Sequence, residues 1–213
     1  MYNEVYEITL RSLYISSFAT ALALTWSIPI SIKIATMKSD IRDAIISMFN
    51  ALFALPTVLV GLLLYMLLSR SGPLGSLGLL YTPQAIIIGQ AVLITPLLVS
   101  LMYEIFIKAL SDYWELAMSL GATKGQAYML IVREVLNDLL SSSLIGFGRA
   151  IGELGVALTI GGNIKGYTRV LTTAIALEVE KGEFEVAMIL GGLLFVVILS
   201  IVLSVRVIRG RFK

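Results

Sequence analysis

The sequence predicts an all-α polytopic membrane protein with five transmembrane helices. Two observations carry this reading. The 213 residues are 58% hydrophobic and only 14% charged, with a mean hydropathy of +0.93, more apolar surface than a water-soluble domain of this size can hide. The charges are also distributed so that uncharged runs remain, each close to the roughly 20 residues that cross a bilayer. These runs are continuous rather than alternating, which argues for helices rather than barrel strands, and a helix in lipid satisfies its own backbone.

The first span, 12–32, lies between Arg11 and Lys33, and the second, 44–69, between Asp43 and Arg70. The third, 84–103, follows a Gly- and Pro-rich turn segment and stops at Glu104. The fourth, 139–160, is interrupted only by Arg149 and Glu153, and the fifth, 186–205, stops at Arg206. Pro29, Pro56 and Pro96 fall inside spans, where each removes a backbone donor and can bend its helix. The chain reads as one transmembrane domain, 1–213, without internal repeats. The first ten residues carry two Glu ahead of the first apolar run and are not expected to be a cleavable signal.

Five spans put the termini on opposite sides, and the cations choose the orientation. One set of loops holds ten of them: Lys33, Lys38, Arg42, Lys108, Lys124, Arg133, Arg206, Arg209, Arg211 and Lys213. The other holds five: Arg11, Arg70, Lys165, Arg169 and Lys181. The first set is therefore expected in the cytoplasm, with the N-terminus outside and the C-terminus inside.

Composition also excludes. With no His and no Cys, disulfides, Cys/His zinc sites, haem ligation through either residue and iron–sulfur clusters are ruled out. A net charge of +2 is too balanced to argue for nucleic acid. There is no phosphate-binding loop of the Walker type, so the chain is not expected to hydrolyse ATP or to bind a cofactor itself.

The cytoplasmic segment 111–128, SDYWELAMSLGATKGQAY, reads as two short helices joined by a sharp turn. Asp112 and Glu115 have capping-box spacing for a first helix, 113–120, about 12 Å long. Gly121 suits the left-handed position that ends a helix, and Thr123 with Gln126 makes a second capping box. A short helix that shows Trp114, Leu116 and Leu120 on the water side needs a partner surface.

ELAMSLGA resembles the EAA loop of binding-protein-dependent ABC permeases, with Glu115, Leu116, Ala117 and Gly121 filling the pattern and Leu116 standing where the first Ala is usual. The resemblance implies that Glu115, Leu116, Ala117, Leu120, Gly121 and Ala122 couple the spans to a cytosolic ATPase dimer, which binds the ATP and Mg. The segments 54–75, 146–155 and 161–184 resemble the oxyanion branch of molybdate, tungstate and sulfate permeases. SRSGPLG with GGNIKGYTRVLTTAIALE looks most like the tungstate type. The family further implies a second copy of the chain, an external or periplasmic oxyanion-binding protein, and a place in the cell membrane among lipid.

The outer loop agrees in part with an anion. Consecutive glycines, Gly162 among them, can converge backbone amides on an anion. Asn163 and Thr168 can donate hydrogen bonds, and Lys165 and Arg169 raise the local potential. A solvated turn or a docking point for the binding protein uses the same residues equally well. Arg149 and Glu153, four apart, read first as a self-neutralising pair that fixes helix packing, with contact to an anion route as the alternative. The glycines at 146, 148, 152 and 155 permit close helix approach. Rival readings are a molybdate or sulfate permease and, from other classes, an ATP-independent channel or secondary transporter, an intramembrane enzyme, or an inert scaffold. Small size and the lack of repeats weigh against a secondary transporter.

Overall fold

The computed structural model describes residues 2–210, with side chains from 3 to 204. Its helices are α1 (Tyr2–Ala35), α2 (Ser39–Phe53), α3 (Thr57–Leu68), α4 (Pro83–Ser119), α5 (Lys124–Glu134), α6 (Leu136–Ile151), α7 (Gly155–Gly161), α8 (Leu171–Glu180) and α9 (Phe184–Gly210), with one 3₁₀ turn at Gly75–Leu77. Among the described residues there is no strand. α1, α4 and α9 are each long and apolar enough to cross a membrane, and counting two bent helix pairs as one span each gives up to five. Arg211 and Lys213, two of the cations behind the expected orientation, lie outside the described residues, as do the side chains of Arg206 and Arg209.

Four of the five expected spans change shape. The first begins ten residues earlier, at Tyr2, because Val5 and Ile8 pack against Leu171, Ala174 and Leu190 of α8 and α9. The second is not one helix. Pro56 cannot donate to the helical ladder, so α2 and α3 meet at a bend of 93°. Pro29 and Pro96, by contrast, sit inside unbroken helices. The fourth breaks between Ile151 and Gly155, where α6 and α7 diverge by 58°. The third continues far past Tyr103: α4 is a single helix of 37 residues, about 55 Å long. The expected separate helix at 113–120 is therefore the end of α4.

α1 and α4 form the centre. Lipid gives apolar surfaces little reason to associate, so close packing and interhelical hydrogen bonds do the holding. α1 presents a face of Ser12, Ser16, Ala19, Ala23, Ser27 and Ser31, all buried. Three cross-links tie it to α4 along its length. Ser16 Oγ donates to Gln90 Oε1 at 3.1 Å, Trp26 Nε1 to Thr95 Oγ1 at 2.7 Å, and Ser31 Oγ to the Val99 carbonyl at 3.2 Å.

α3 and α7, the second halves of the two bent pairs, pack on each other through small residues. A Cβ at Gly61 would run into Thr159 Oγ1, with the Gly155 carbonyl 3.3 Å away. Gly61→Leu is accordingly expected to separate α3 from α7 and to destabilise the protein by about 1–3 kcal/mol, the usual cost of overpacking. Thermal inactivation of the detergent-solubilised protein checks this, and an unchanged midpoint would contradict the packing described.

Candidate coupling turn, broken spans and outer loop

The tip of α4 is built from local rules. Leu120 closes the helix, and Gly121 takes φ +82°, in the left-handed region. The Ala122 amide donates to the Ala117 carbonyl and the Gly121 amide to the Met118 carbonyl, both at 3.1 Å. That pair of bonds is the Schellman arrangement, which satisfies the last carbonyls of a helix. Two residues on, the capping box starts α5: the Thr123 amide donates to Gln126 Oε1 at 2.8 Å and the Gln126 amide to Thr123 Oγ1 at 3.4 Å.

Inside the α4–α5 hairpin, Ala117 and Ala127 are buried and the rings of Trp114 and Tyr128 stand 5.1 Å apart. Outside it, Leu116 is 55% and Leu120 is 79% exposed, and Met118 and Met129 are exposed beside them. The expected capping box at Asp112 and Glu115 is absent, because both residues sit within α4, where the backbone already bonds to itself. Glu115 is exposed and, among the described residues, makes no side-chain hydrogen bond. The turn thus combines a fixed backbone with uncovered apolar side chains, the combination that a protein partner requires.

The break of the fourth span is organised by Glu153. It is 3% exposed. Its Oε2 accepts from Arg149 Nη1 at 2.6 Å and its Oε1 from the Val156 amide at 3.3 Å, at the start of α7. Its carbonyl accepts from Thr172 Oγ1 of α8 at 2.8 Å. One residue therefore joins α6, α7 and α8. The expected Arg149–Glu153 pair forms, although Glu153 lies beyond the end of α6 rather than on one continuous face.

The glycine-rich loop 161–169 is held from within. Thr168 is fully buried, donating to the Gly161 carbonyl at 2.6 Å and accepting from the Ile164 amide at 2.9 Å. The amide of Gly162 donates to the Leu158 carbonyl, and those of Tyr167, Thr168 and Arg169 all donate to the Ile164 carbonyl. Gly162 and Asn163 both have positive φ, and Asn163 Oδ1 accepts from Arg169 Nε at 3.2 Å. Two residues of α1 complete the clamp. Glu4 pairs with Lys165 at 3.0 Å and with Arg169 at 3.5 Å, and Arg11 donates to the carbonyls of Arg169 and Gly166, each at 3.0 Å. Lys165 stays 70% exposed at the tip, beside exposed Ile164 and Tyr167.

Residues 27–211 match the family described as the binding-protein-dependent transport system inner membrane component. The chain belongs to this family. It is thus a multi-pass component of the cell membrane. It is 39% identical over 198 residues to the tungstate uptake system permease protein of Peptoclostridium acidaminophilum, covering 93% of this chain and 87% of that one. A probable anion ABC transporter permease protein of Haloferax volcanii is 37% identical over 211 residues, 97% and 89% of the two chains. The sulfate transport system permease protein of Escherichia coli is more distant, 25% identical over 217 residues, 97% and 76%.

In this inner membrane component the residues named from sequence fall into three separate places. Leu116, Leu120 and Gly121 share the exposed turn at the tip of α4, with Ala117 buried behind it. Arg149 and Glu153 sit in the break. Gly162, Asn163, Lys165, Thr168 and Arg169 form the glycine-rich loop. Glu4 and Arg11 were not among the expected site residues: they meet the loop across more than 150 residues of sequence, and no local pattern signals such a pairing.

Proposed function

We propose that the chain is the membrane-spanning subunit of an ATP-driven tungstate importer. In this reading the two bent pairs count as spans, giving five, with the N-terminus outside and the C-terminus in the cytoplasm. Two copies pair, and their two coupling turns engage a cytosolic ATPase dimer that holds the ATP and Mg. An external binding protein delivers the oxyanion. The observation that carries the reading is the turn at the tip of α4, doubly capped yet showing Leu116 and Leu120 to water. Glu115, Leu116, Leu120, Gly121 and Ala122 are its contact residues, and Ala117 lets α5 pack close behind them.

The outer loop fits docking of the binding protein better than direct anion contact. Thr168 and the amides of Gly162, Ile164, Tyr167 and Arg169 are spent on internal bonds, and Glu4 offsets part of the charge of Lys165 and Arg169, while Ile164, Lys165 and Tyr167 project from a rigid base. Tungstate is taken from the similarity to the tungstate uptake permease. Molybdate, nearly the same in size and charge, and sulfate remain the alternatives within the class.

The test is ATPase activity of the permease–ATPase complex reconstituted with its binding protein loaded with tungstate, molybdate, sulfate or nothing. Greatest stimulation by the tungstate-loaded form is the expected result. Equal stimulation by molybdate would reassign the substrate, and uptake that persists without ATP would replace the reading with an ATP-independent transporter.

A further inference from the structure

Between the end of α3 and the start of α4 the chain forms a polar cavity of about 610 Å³. Tyr65 and Ser69 line it from the last turn and cap of α3, Arg70 and Ser71 from the loop that follows, and Tyr81 from the approach to α4. Arg70 is the one charged residue of the lining, and no carboxylate borders the cavity. Arg70 is exposed, and among the described residues its guanidinium makes neither an ion pair nor a hydrogen bond. The amides of Arg70, Ser71 and Leu80 are likewise without a backbone partner among the described residues. The cavity therefore gathers donors and holds no anionic acceptor for them.

An anion beside the C-terminus of a helix ordinarily meets its last carbonyls. Here they are already engaged. The Tyr65 carbonyl accepts from the Ser69 amide at 2.8 Å and the Leu67 carbonyl from the Leu74 amide at 2.9 Å, and the Met66 carbonyl accepts from Ser69 Oγ at 3.3 Å. The far wall is fixed. Tyr81 holds φ +64°, a strained setting for a bulky residue, and its amide donates to the Ile160 carbonyl of α7 at 2.8 Å. Its ring lies against Gly162, where a Cβ would come within 2.7 Å of it, and 6.4 Å from the ring of Tyr65.

The cavity stands where the apolar run ends, for no charge occurs from Ala44 to Ser69. Leu62 and Met66, eight and four residues before Arg70, follow one another on one helix face and are exposed. An exposed apolar row that leads to an unpaired cation between two tyrosines has the layout of a lipid contact at the membrane–water boundary.

We propose that this cavity takes the phosphate group of an anionic phospholipid, with the Arg70 guanidinium on the phosphate, Ser71 and the loop amides as further donors, and the acyl chains along Leu62 and Met66. The lack of a carboxylate sets the class of headgroup. A phosphodiester meets a cation there, whereas the ammonium of a zwitterionic headgroup finds no partner. A free tetrahedral oxyanion presents the same oxygens, so the test separates the two sources.

The full chain, purified in a neutral detergent, is titrated with phosphatidylglycerol and with phosphatidylcholine, and bound lipid is counted by native mass spectrometry. Phosphatidylglycerol is expected to bind at least about fivefold more tightly, the effect of one cation near an anionic headgroup. Arg70→Gln is expected to abolish the preference, and Lys38→Gln, at an exposed cation outside the cavity, to retain it. Ser71→Ala keeps the charge and is expected to weaken phosphatidylglycerol at least about twofold, as loss of one hydrogen bond does. The variants are compared at matching thermal midpoints without lipid. An unaltered chain that shows no preference would overturn the proposal, as would a preference that survives Arg70→Gln. Displacement of the lipid by millimolar sulfate or tungstate would assign the cavity to a free oxyanion and overturn the lipid. So would a disulfide between two copies at Met66→Cys in this Cys-free chain, since a second chain would then cover the apolar row.

Discussion

Gly121→Val is expected to lower binding-protein-stimulated ATPase activity of the complex at least about tenfold while the spans remain inserted. Gly121 has φ +82°, and a side chain in the left-handed region costs about 1–2 kcal/mol, more for a β-branched one. No atom lies within 4 Å of the position a Cβ would take, so the penalty is conformational and not a clash. That distinction supplies a control. Gly121→Asn, which tolerates the left-handed region, is expected to retain most of the activity. Full activity in the valine variant would remove the turn from the coupling role, and equal loss in both variants would point to a steric requirement of the partner surface.

Glu153→Leu is expected to have the largest effect on stability. Removing one member of a buried ion pair strands the other charge, at about 3–5 kcal/mol. Here Arg149 would be stranded and the Val156 amide would lose its acceptor. The measurement is the thermal midpoint of the purified protein. The double variant Arg149→Met with Glu153→Leu is expected to recover much of the loss, because no unpaired charge remains. If the double variant were no more stable than Glu153→Leu alone, the amide cap and not the ion pair would be the main contribution of Glu153.

How far each feature was legible depended on the reach of the forces that make it. The Gly121 turn and the Thr123–Gln126 capping box are set within six residues, and both stand as read. Asp112 and Glu115 carry the same capping pattern, yet no helix starts there, since a continuous α4 offers those amides carbonyls without any side chain. Pro56 marks a possible bend, but its sequence context says nothing of an angle of 93°, which is set by α3 packing on α7. The Arg149–Glu153 pair was inferred from an unbroken helix and forms across a broken one, because a long guanidinium stem spans the irregular turn. The clamp of Glu4 and Arg11 on the loop 161–169 depends on α1 passing beside residue 169, and only the assembled fold brings them together.

The unbroken length of α4 has a mechanical consequence. A stiff rod of about 55 Å that pivots by roughly 10° moves its end by about 10 Å, so a modest rotation imposed at the α4 tip is geared up at the far end. The three hydrogen bonds to α1 make the pair swing as one beam. The compliance then falls to the two breaks, beyond which α3 and α7 pack on each other while Glu153 keeps α7 tied to α6 and α8. Stiffness in the uninterrupted helices and slack at the two breaks divide the molecule into a rigid part and a compliant one.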